Sequence, residues 1–227
     1  MSTAPDDTPH TLERVGEAKL PTKHGLFTIF AYTGEGAGEH VALVFGDPHS
    51  RRGGVPVRMH SSCVTGDVFG SLRCDCGQQL ELAIQHVTSA GAGAILYLDQ
   101  EGRGIGLANK IRAYECQDAG FDTVDANTTL GFEADQRDYA PAAWILRDLG
   151  IADVELLTNN PHKAESLREH GIAVERVPLA VVPNLYNHRY LETKARRLGH
   201  QLPATNGHDP AWSQQQRSFP TDEQLHA

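Results

Sequence analysis

Three cysteines, Cys63, Cys74 and Cys76, fall within fourteen positions of a single Gly- and Asp-rich stretch, and no other feature constrains the chain as tightly. Three thiolates can hold a zinc ion tetrahedrally and leave the fourth position open for water, the layout of a catalytic rather than a structural site. The competing reading is three unrelated core thiols, since free cysteine is commonly just buried. The flanking residues, V-T-G-D after Cys63 and D between Cys74 and Cys76, are not those of a core. Cys74 and Cys76, one residue apart, make poor disulfide partners for each other. The N-terminal residues are polar, with neither the basic start nor the apolar block of a signal peptide. A cytoplasmic location is therefore expected, where thiols stay reduced and serve as ligands. The fourth cysteine, Cys116, sits on a predicted helix between Glu115 and Gln117 and reads as a packing residue.

The rest of the chain divides around this stretch. F-T-I-F-A-Y (residues 27–32) and H-V-A-L-V-F (residues 40–45) are β-type runs joined by the turn G-E-G-A-G, which predicts a hairpin. V-P-V-R-M-H leads into Cys63 as a third strand, so the first quarter is expected to be a small antiparallel sheet. After Cys76, Leu80, Ala83, Ile84 and Val87 recur at helical spacing. G-A-G-A-I-L-Y-L is a continuous apolar run, as a strand buried on both faces requires. It ends in D-Q-E-G-R-G-I-G before a second helical pattern over residues 107–119. In such a strand, glycine turn and helix, backbone N–H groups at the helix start can face an anion.

Further on, residues 122–130 and 137–149 read as helical, 154–158 and 172–179 as strands, 164–170 as a helix stopped by Gly171, and 190–202 as a short basic helix. Pro161 suits a first helical turn. The alternation predicts an α/β fold: a small N-terminal antiparallel part joined to a mainly parallel sheet flanked by helices. Ligands of such sheets sit at the carboxyl ends of the strands, where Glu101, Arg103, Thr158 and Lys163 fall. One catalytic domain over residues 13–202 is expected, with a disordered start (1–12) and a flexible tail (203–227).

A net charge of −9 argues against a general nucleic-acid binder, which needs a cationic face for phosphates. It leaves room for a local cationic pocket that takes a small anion. No apolar run reaches the roughly eighteen residues that span a bilayer.

H-S-S-C-V-T-G-D-V-F-G-S-L-R-C-D-C-G-Q-Q-L, Q-E-G-R-G-I-G-L-A-N-K-I-R-A-Y, L-G-F-E-A-D-Q-R-D-Y and L-L-T-N-N-P-H-K occur in this order, and together they resemble GTP cyclohydrolase II. The resemblance runs from about residue 17 to 202 and rests on several long motifs. It implies a zinc enzyme that opens riboflavin biosynthesis by converting GTP and water to formate, pyrophosphate and a diaminopyrimidine ribosyl phosphate. By the same resemblance Cys63, Cys74 and Cys76 are the zinc ligands, and Mg²⁺ accompanies the triphosphate. Tyr114 matches an active-site tyrosine that could hydrogen-bond the developing oxyanion or a ring nitrogen. On its own it would read as a helix-face core residue.

The resemblance also implies that Arg58, His60, Ser61, Ser62, Gln79, Glu101, Gly102 and Arg103 contact the nucleotide. A carboxylate suits guanine N1–H and the 2-amino group, so Glu101 is expected to select the base. Arg103 and Lys163 suit phosphate, with Thr123 and Thr158 as hydroxyl donors. Taken singly, these side chains would more often be solvated surface groups. Asp135 and Arg137 match the family's general base and a nucleophile on the α-phosphorus. A guanidinium stays protonated, so stabilising charge on the transferring phosphoryl group is the more natural work for Arg137.

Ser62 stands where the family usually has glutamate, and His162 where a basic residue is common. Two alternatives follow. A paralogue would retain the formyl group or use another purine nucleotide. A non-catalytic zinc protein would close its site with a fourth ligand from Cys116 or His60. The resemblance further implies a homodimer.

Overall fold

Two apolar runs, V-P-V and G-A-I-L-Y-L, set the centre of the sheet, because a strand buried on both faces needs side chains to cover it from either side. The computed structural model describes residues 12–35 and 38–201. The expectations of a disordered start and a flexible tail therefore lie outside the described residues, except that Leu12 is buried in the core.

The strands are β1 (Glu13–Thr22), β2 (Gly25–Gly34), β3 (Gly38–Phe45), β4 (Val55–Ser61), β5 (Gly93–Leu98), β6 (Asp153–Leu157) and β7 (Ala173–Val177). They form one sheet in the order β1-β2-β3-β5-β4-β6-β7. The pairings β1–β2, β2–β3 and β3–β5 are antiparallel, and β5–β4, β4–β6 and β6–β7 are parallel.

The predicted hairpin is present as β2 and β3. The expectation that V-P-V-R-M-H belongs to a separate antiparallel sheet is corrected: β4 runs parallel between β5 and β6. Local sequence did not carry this placement. The strand's partners lie about 40 and 100 residues downstream in the register Val57↔Ala94 and Val57↔Leu156.

The helices are α1 (Val64–Asp67), α2 (Cys76–Ser89), α3 (Gly106–Asp118), α4 (Thr123–Thr129), α5 (Ala140–Asp148), α6 (Pro161–Glu169) and α7 (His188–Arg197). Side-chain alternation on β5 divides the core. Ala94, Leu96 and Leu98 join Ala142, Ile145 and Leu146 of α5 and Leu167 of α6 on one face. Ile95 joins Ala83 and Val87 of α2 on the other. The antiparallel part is tied to this body through Asp148, which accepts from Tyr32 Oη at 2.9 Å and Arg14 Nε at 2.8 Å. Pro161 opens α6, and Gly171 follows it at φ 78°, a left-handed stop.

The helix expected over residues 137–149 begins only at Ala140, which leaves Asp135 and Arg137 on the connection before it. α2 begins earlier than the apolar stripe indicates, with Cys76 as its first residue.

Parallel register brings the carboxyl ends of the central strands to one edge, with Ser61 opposite Leu98. The chain leaves β4 toward β5 but leaves β6 toward β7. Connections that part in opposite directions open a crevice between neighbouring strand ends, the usual ligand position in sheets of this kind.

Candidate active site

Cys63 lies two residues beyond the end of β4, Cys74 in the turn before α2, and Cys76 at the first position of α2. Their sulfur atoms lie within 4.8 Å of one another, and Cys63 and Cys74 are 3.7 Å apart. Such crowding cannot be met by three free thiolates. Contact with Cys74 and Cys76 holds the Cys63 thiol far below its ordinary range, while contact with Cys63 lifts Cys74 to about 11 and Cys76 well upward. A soft dication removes this conflict, because thiolate donors in threefold proximity suit zinc. No fourth His, Cys, Asp or Glu joins the cluster among the described residues. His60, one of the two candidates for closing it, is buried with Nε2 3.0 Å from both carboxylate oxygens of Asp67. The other, Cys116, is also outside the cluster.

The turn that aligns the sulfurs has no room for side chains. A Cβ on Gly66 would stand 2.8 Å from Cys74 Sγ and 3.2 Å from Cys63 Sγ. Gly66→Ala must therefore push the sulfurs apart, and the affinity of the cluster for a metal such as zinc is expected to fall about 10–100-fold, the usual penalty for disturbing ligand orientation. Competitive chelator titration of the purified variant checks this. Asp67 fixes the same turn from below, accepting from Cys63 N–H at 3.0 Å and Tyr97 Oη at 2.9 Å.

Beside the thiols, Lys110 Nζ of α3 lies 3.1 Å from Cys63 Sγ and 2.8 Å from Glu101 Oε1. Tyr114, one turn further along α3, places its hydroxyl 3.4 Å from Thr65 Oγ1, which is itself 3.7 Å from Cys63 Sγ. Burial raises the Tyr114 phenol above its usual range, so it stays protonated and can donate. The sequence reading found Tyr114 but not Lys110. Their four-residue spacing on one helix was the available signal, since it puts both on the same face.

Glu101 is engaged by three donors of its own chain. One oxygen accepts from Val64 N–H at 2.7 Å, the other from Lys110 and from Gly102 N–H at 2.9 Å. A carboxylate has about four acceptor sites, and three donors leave little for a guanine edge that offers two more. In this arrangement Glu101 braces the cysteine turn against α3.

A second group of charges surrounds Tyr139. Arg137 Cζ and Lys163 Nζ lie 5.6 Å and 5.4 Å from its ring centroid. Arg137 forms a two-pronged pair with Asp135, Nε to Oδ1 at 2.8 Å and Nη2 to Oδ2 at 2.5 Å, and reaches Ser61 Oγ at 3.4 Å. Despite partial burial, the Arg137 contact holds Asp135 below the usual carboxylate range, and the same contact pushes Arg137 upward. Lys163 donates to Met59 O at 2.8 Å, and burial drives its ammonium well below the usual range. Arg58 donates to Leu157 O and to Gln79 Oε1 at 2.5 Å, while Gln79 donates to Asp75. Tyr139 carried no motif signal beyond closing F-E-A-D-Q-R-D-Y and was missed.

One cavity gathers most of the expected residues: Arg58, His60, Ser61, Ser62, the three cysteines, Gln79, Glu101, Gly102, Arg103, Tyr114, Arg137, Thr158 and Lys163. Ser62 Oγ accepts from Gln100 N–H at 3.1 Å, extending the β4–β5 edge. Arg103 has φ 63°, the only positive value outside glycine among the described residues, and neither terminal nitrogen of its guanidinium has a partner. Asp135 reaches the cavity only through Arg137. Thr123 opens α4, and nothing of its side chain is described. His162 is exposed beside Glu165, 3.1 Å away, not in the cavity.

The family described as GTP cyclohydrolase II matches residues 13–178, which include both charge clusters and all three cysteines. The chain belongs to the GTP cyclohydrolase II family. A protein named GTP cyclohydrolase-2 from Cronobacter sakazakii is 55% identical over 193 residues, covering 84% of this chain and 98% of that one. Another of that name from Azotobacter vinelandii is 54% identical over 192 residues, covering 83% and 91%. The riboflavin biosynthesis protein RibBA of Bacillus subtilis is 51% identical over 193 residues; this chain spans about half of it, 48%. No described helix of this family member is long and apolar enough to cross a membrane.

Proposed function

We propose that the chain is a zinc-dependent hydrolase that opens the imidazole ring of GTP, releasing formate and pyrophosphate and leaving a diaminopyrimidine ribosyl phosphate, the entry to riboflavin biosynthesis. The observation that carries this reading is a single cavity with three thiols, Lys110 and Tyr114 in one group and Arg58, Arg137 and Lys163 in another. A purine nucleotide has matching parts, a ring to be hydrolysed and a polyanionic tail. Cys63, Cys74 and Cys76 would hold the zinc ion. When bound, zinc supplies a Lewis acid that lowers the pKa of a ligated water from 15.7 toward about 7.

The chain's own groups divide the remaining work. The protonated Tyr114 hydroxyl donates to negative charge developing on the opening ring. Lys110, between Cys63 and Glu101, holds an ammonium beside the thiolates and offsets their charge. Asp135 is kept ionised by Arg137 and orients that guanidinium, and the general-base role that the resemblance implies requires the pair to separate when substrate binds. Arg137, Arg103 and Lys163 face the phosphates, with the Thr158 and Ser61 hydroxyls beside them, and Mg²⁺ arriving with the triphosphate would offset further phosphate charge. His60, Ser62, Gln79, Gly102 and Thr123 are further substrate contacts in this scheme.

The enzyme is placed in the cytoplasm, which suits its unpaired thiols. It is taken as a homodimer, whose second copy would cover exposed apolar side chains such as Val68, Phe69, Leu107 and Ile111. A monomer in sedimentation equilibrium at micromolar concentration would remove the dimer from this picture.

Incubating zinc-loaded protein with GTP and Mg²⁺ and following formate, pyrophosphate and the pyrimidine separately tests the whole reading. Absence of all three products from metal-replete protein rejects it. Ser62, in place of the family's usual glutamate, supports a second reading in which the formyl group is kept. Pyrophosphate without formate would decide for it.

Because Glu101 braces the turn, Glu101→Gln is expected to lower kcat about tenfold, as the loss of a charge-assisted hydrogen bond does, while the preference for GTP over ATP persists. Steady-state rates with both nucleotides check this. A variant that used ATP as readily as GTP would restore the base-selecting role to Glu101.

A further inference from the structure

The family match ends at residue 178, yet the cavity does not. Tyr190 and Lys194 of α7, and His200 just after it, line the same space. Lys194 is buried, donating to Asp75 Oδ1 at 2.7 Å, between two of the cysteines in sequence. The Tyr190 ring lies between two cations, 4.7 Å from Lys194 Nζ and 5.8 Å from Arg103 Cζ. The chain then turns over the end of β6: His200 N–H donates to Lys194 O at 3.1 Å, and Gln201 N–H to Asn159 O at 2.9 Å. Nδ1 of His200 is buried without a partner.

Charge makes this arrangement incomplete as it stands. Five cations line the cavity in this region: Arg58, Arg103, Arg137, Lys163 and Lys194. Asp135 neutralises Arg137 and Asp75 neutralises Lys194. Arg58, Arg103 and Lys163 have no carboxylate partner among the described residues. Burial and the neighbouring Lys194 and Arg137 push the His200 imidazole down to about 2, so it is neutral in the free protein. A cavity whose basic side chains are only partly offset by carboxylates is complementary to a polyanion that spreads its charge over several groups, and such an anion would favour the charged form of Lys163.

We propose that Lys194 and His200 contact the substrate's triphosphate, and that Tyr190 positions Arg103 toward it, making α7 and the turn after it a wall of the nucleotide site. This rests on the nucleotide reading given above. Lys194 has three N–H donors and uses one on Asp75, which leaves two for phosphate oxygens. His200 offers an imidazole nitrogen with no other partner. A nucleoside monophosphate reaches fewer of these groups, so the wall should matter most for the longer anion.

The test uses full-length, zinc-loaded protein and two ligands: a GTP analogue with a methylene bridge between the α- and β-phosphates, and guanosine monophosphate. His200→Ala and Lys194→Gln are each expected to weaken the analogue about tenfold in calorimetry, as loss of a contact to a charged group does, and the monophosphate less than about twofold. Lys194→Arg should recover most of the loss. Equal weakening of both ligands, or zinc content falling in step with affinity, would mean a merely structural role and overturn the proposal. Unchanged analogue affinity would overturn it as well. Should Lys194→Gln fail to fold because Asp75 is left unpaired, His200→Ala decides alone. Wild-type protein that bound neither ligand would instead defeat the nucleotide reading itself.

Discussion

Replacing Cys74 by serine is expected to empty the metal centre and stop formate release in one stroke. A hydroxyl is a hard, neutral donor and does not replace a thiolate for zinc, and two remaining sulfurs do not make a tetrahedral site. Cys74 is also the hub of the cluster, 3.7 Å from Cys63 and in the path of any side chain at Gly66. Zinc per chain should drop below about one tenth, and formate release below about one thousandth of wild type, once hydroxide is no longer generated at neutral pH. The fold should persist, because the central strands and α5 form a core separate from the turn. Cys116→Ser is the control. That sulfur lies outside the cluster, so zinc content and rate should stay at wild-type values. Metal analysis with a formate assay on both variants checks the prediction. Full activity in zinc-free Cys74→Ser protein would remove the metal from the mechanism.

What could be read in the sequence follows from which contacts are local. The three cysteines, the glycine turn and the following helix sit within about fifty residues, and the turn carrying Glu101 and Arg103 proved to project from the carboxyl end of β5 beside Cys63. Strand order was not legible. β4 reads as a third member of the hairpin sheet, and only the distant partners β5 and β6 make it a central parallel strand. Buried charges were harder still. Lys110 and Lys194 each look like solvated helix positions; the spacing to Tyr114 puts Lys110 on the site's face of its helix, but nothing local announces that Lys194 meets Asp75. Glu101 shows how neighbours bear on an expected role. Its chemistry suits a guanine edge, but three donors from its own chain reach it first. Residue type restricts what a group can do, and neighbours decide which of those things it does.

Arg137→Ala is expected to lower pyrophosphate release by about 10³-fold, the scale on which an arginine stabilises a transferring phosphoryl group. The geometry also separates two meanings of that loss. Asp135 grips Arg137 through Nε and Nη2 and pushes its already high pKa higher, so no neutral nitrogen is available to attack phosphorus. An arginine so held acts as a fixed cation, with Nη1 directed toward Ser61 Oγ at the edge of the cavity. If charge is what matters, Arg137→Lys should restore part of the rate, leaving it about 10–100-fold below wild type, because a lysine keeps the charge but loses the fork that Asp135 orients. If a covalent phosphorus–nitrogen bond matters, the arginine adduct itself should accumulate when the protein is quenched during turnover. Rapid quench followed by mass spectrometry of the peptide containing Arg137, run beside the kinetics of the lysine variant, decides between them. An adduct on Arg137 together with a dead lysine variant would replace electrostatic stabilisation by nucleophilic catalysis, and Asp135 would then have to remove a proton from the guanidinium it now holds.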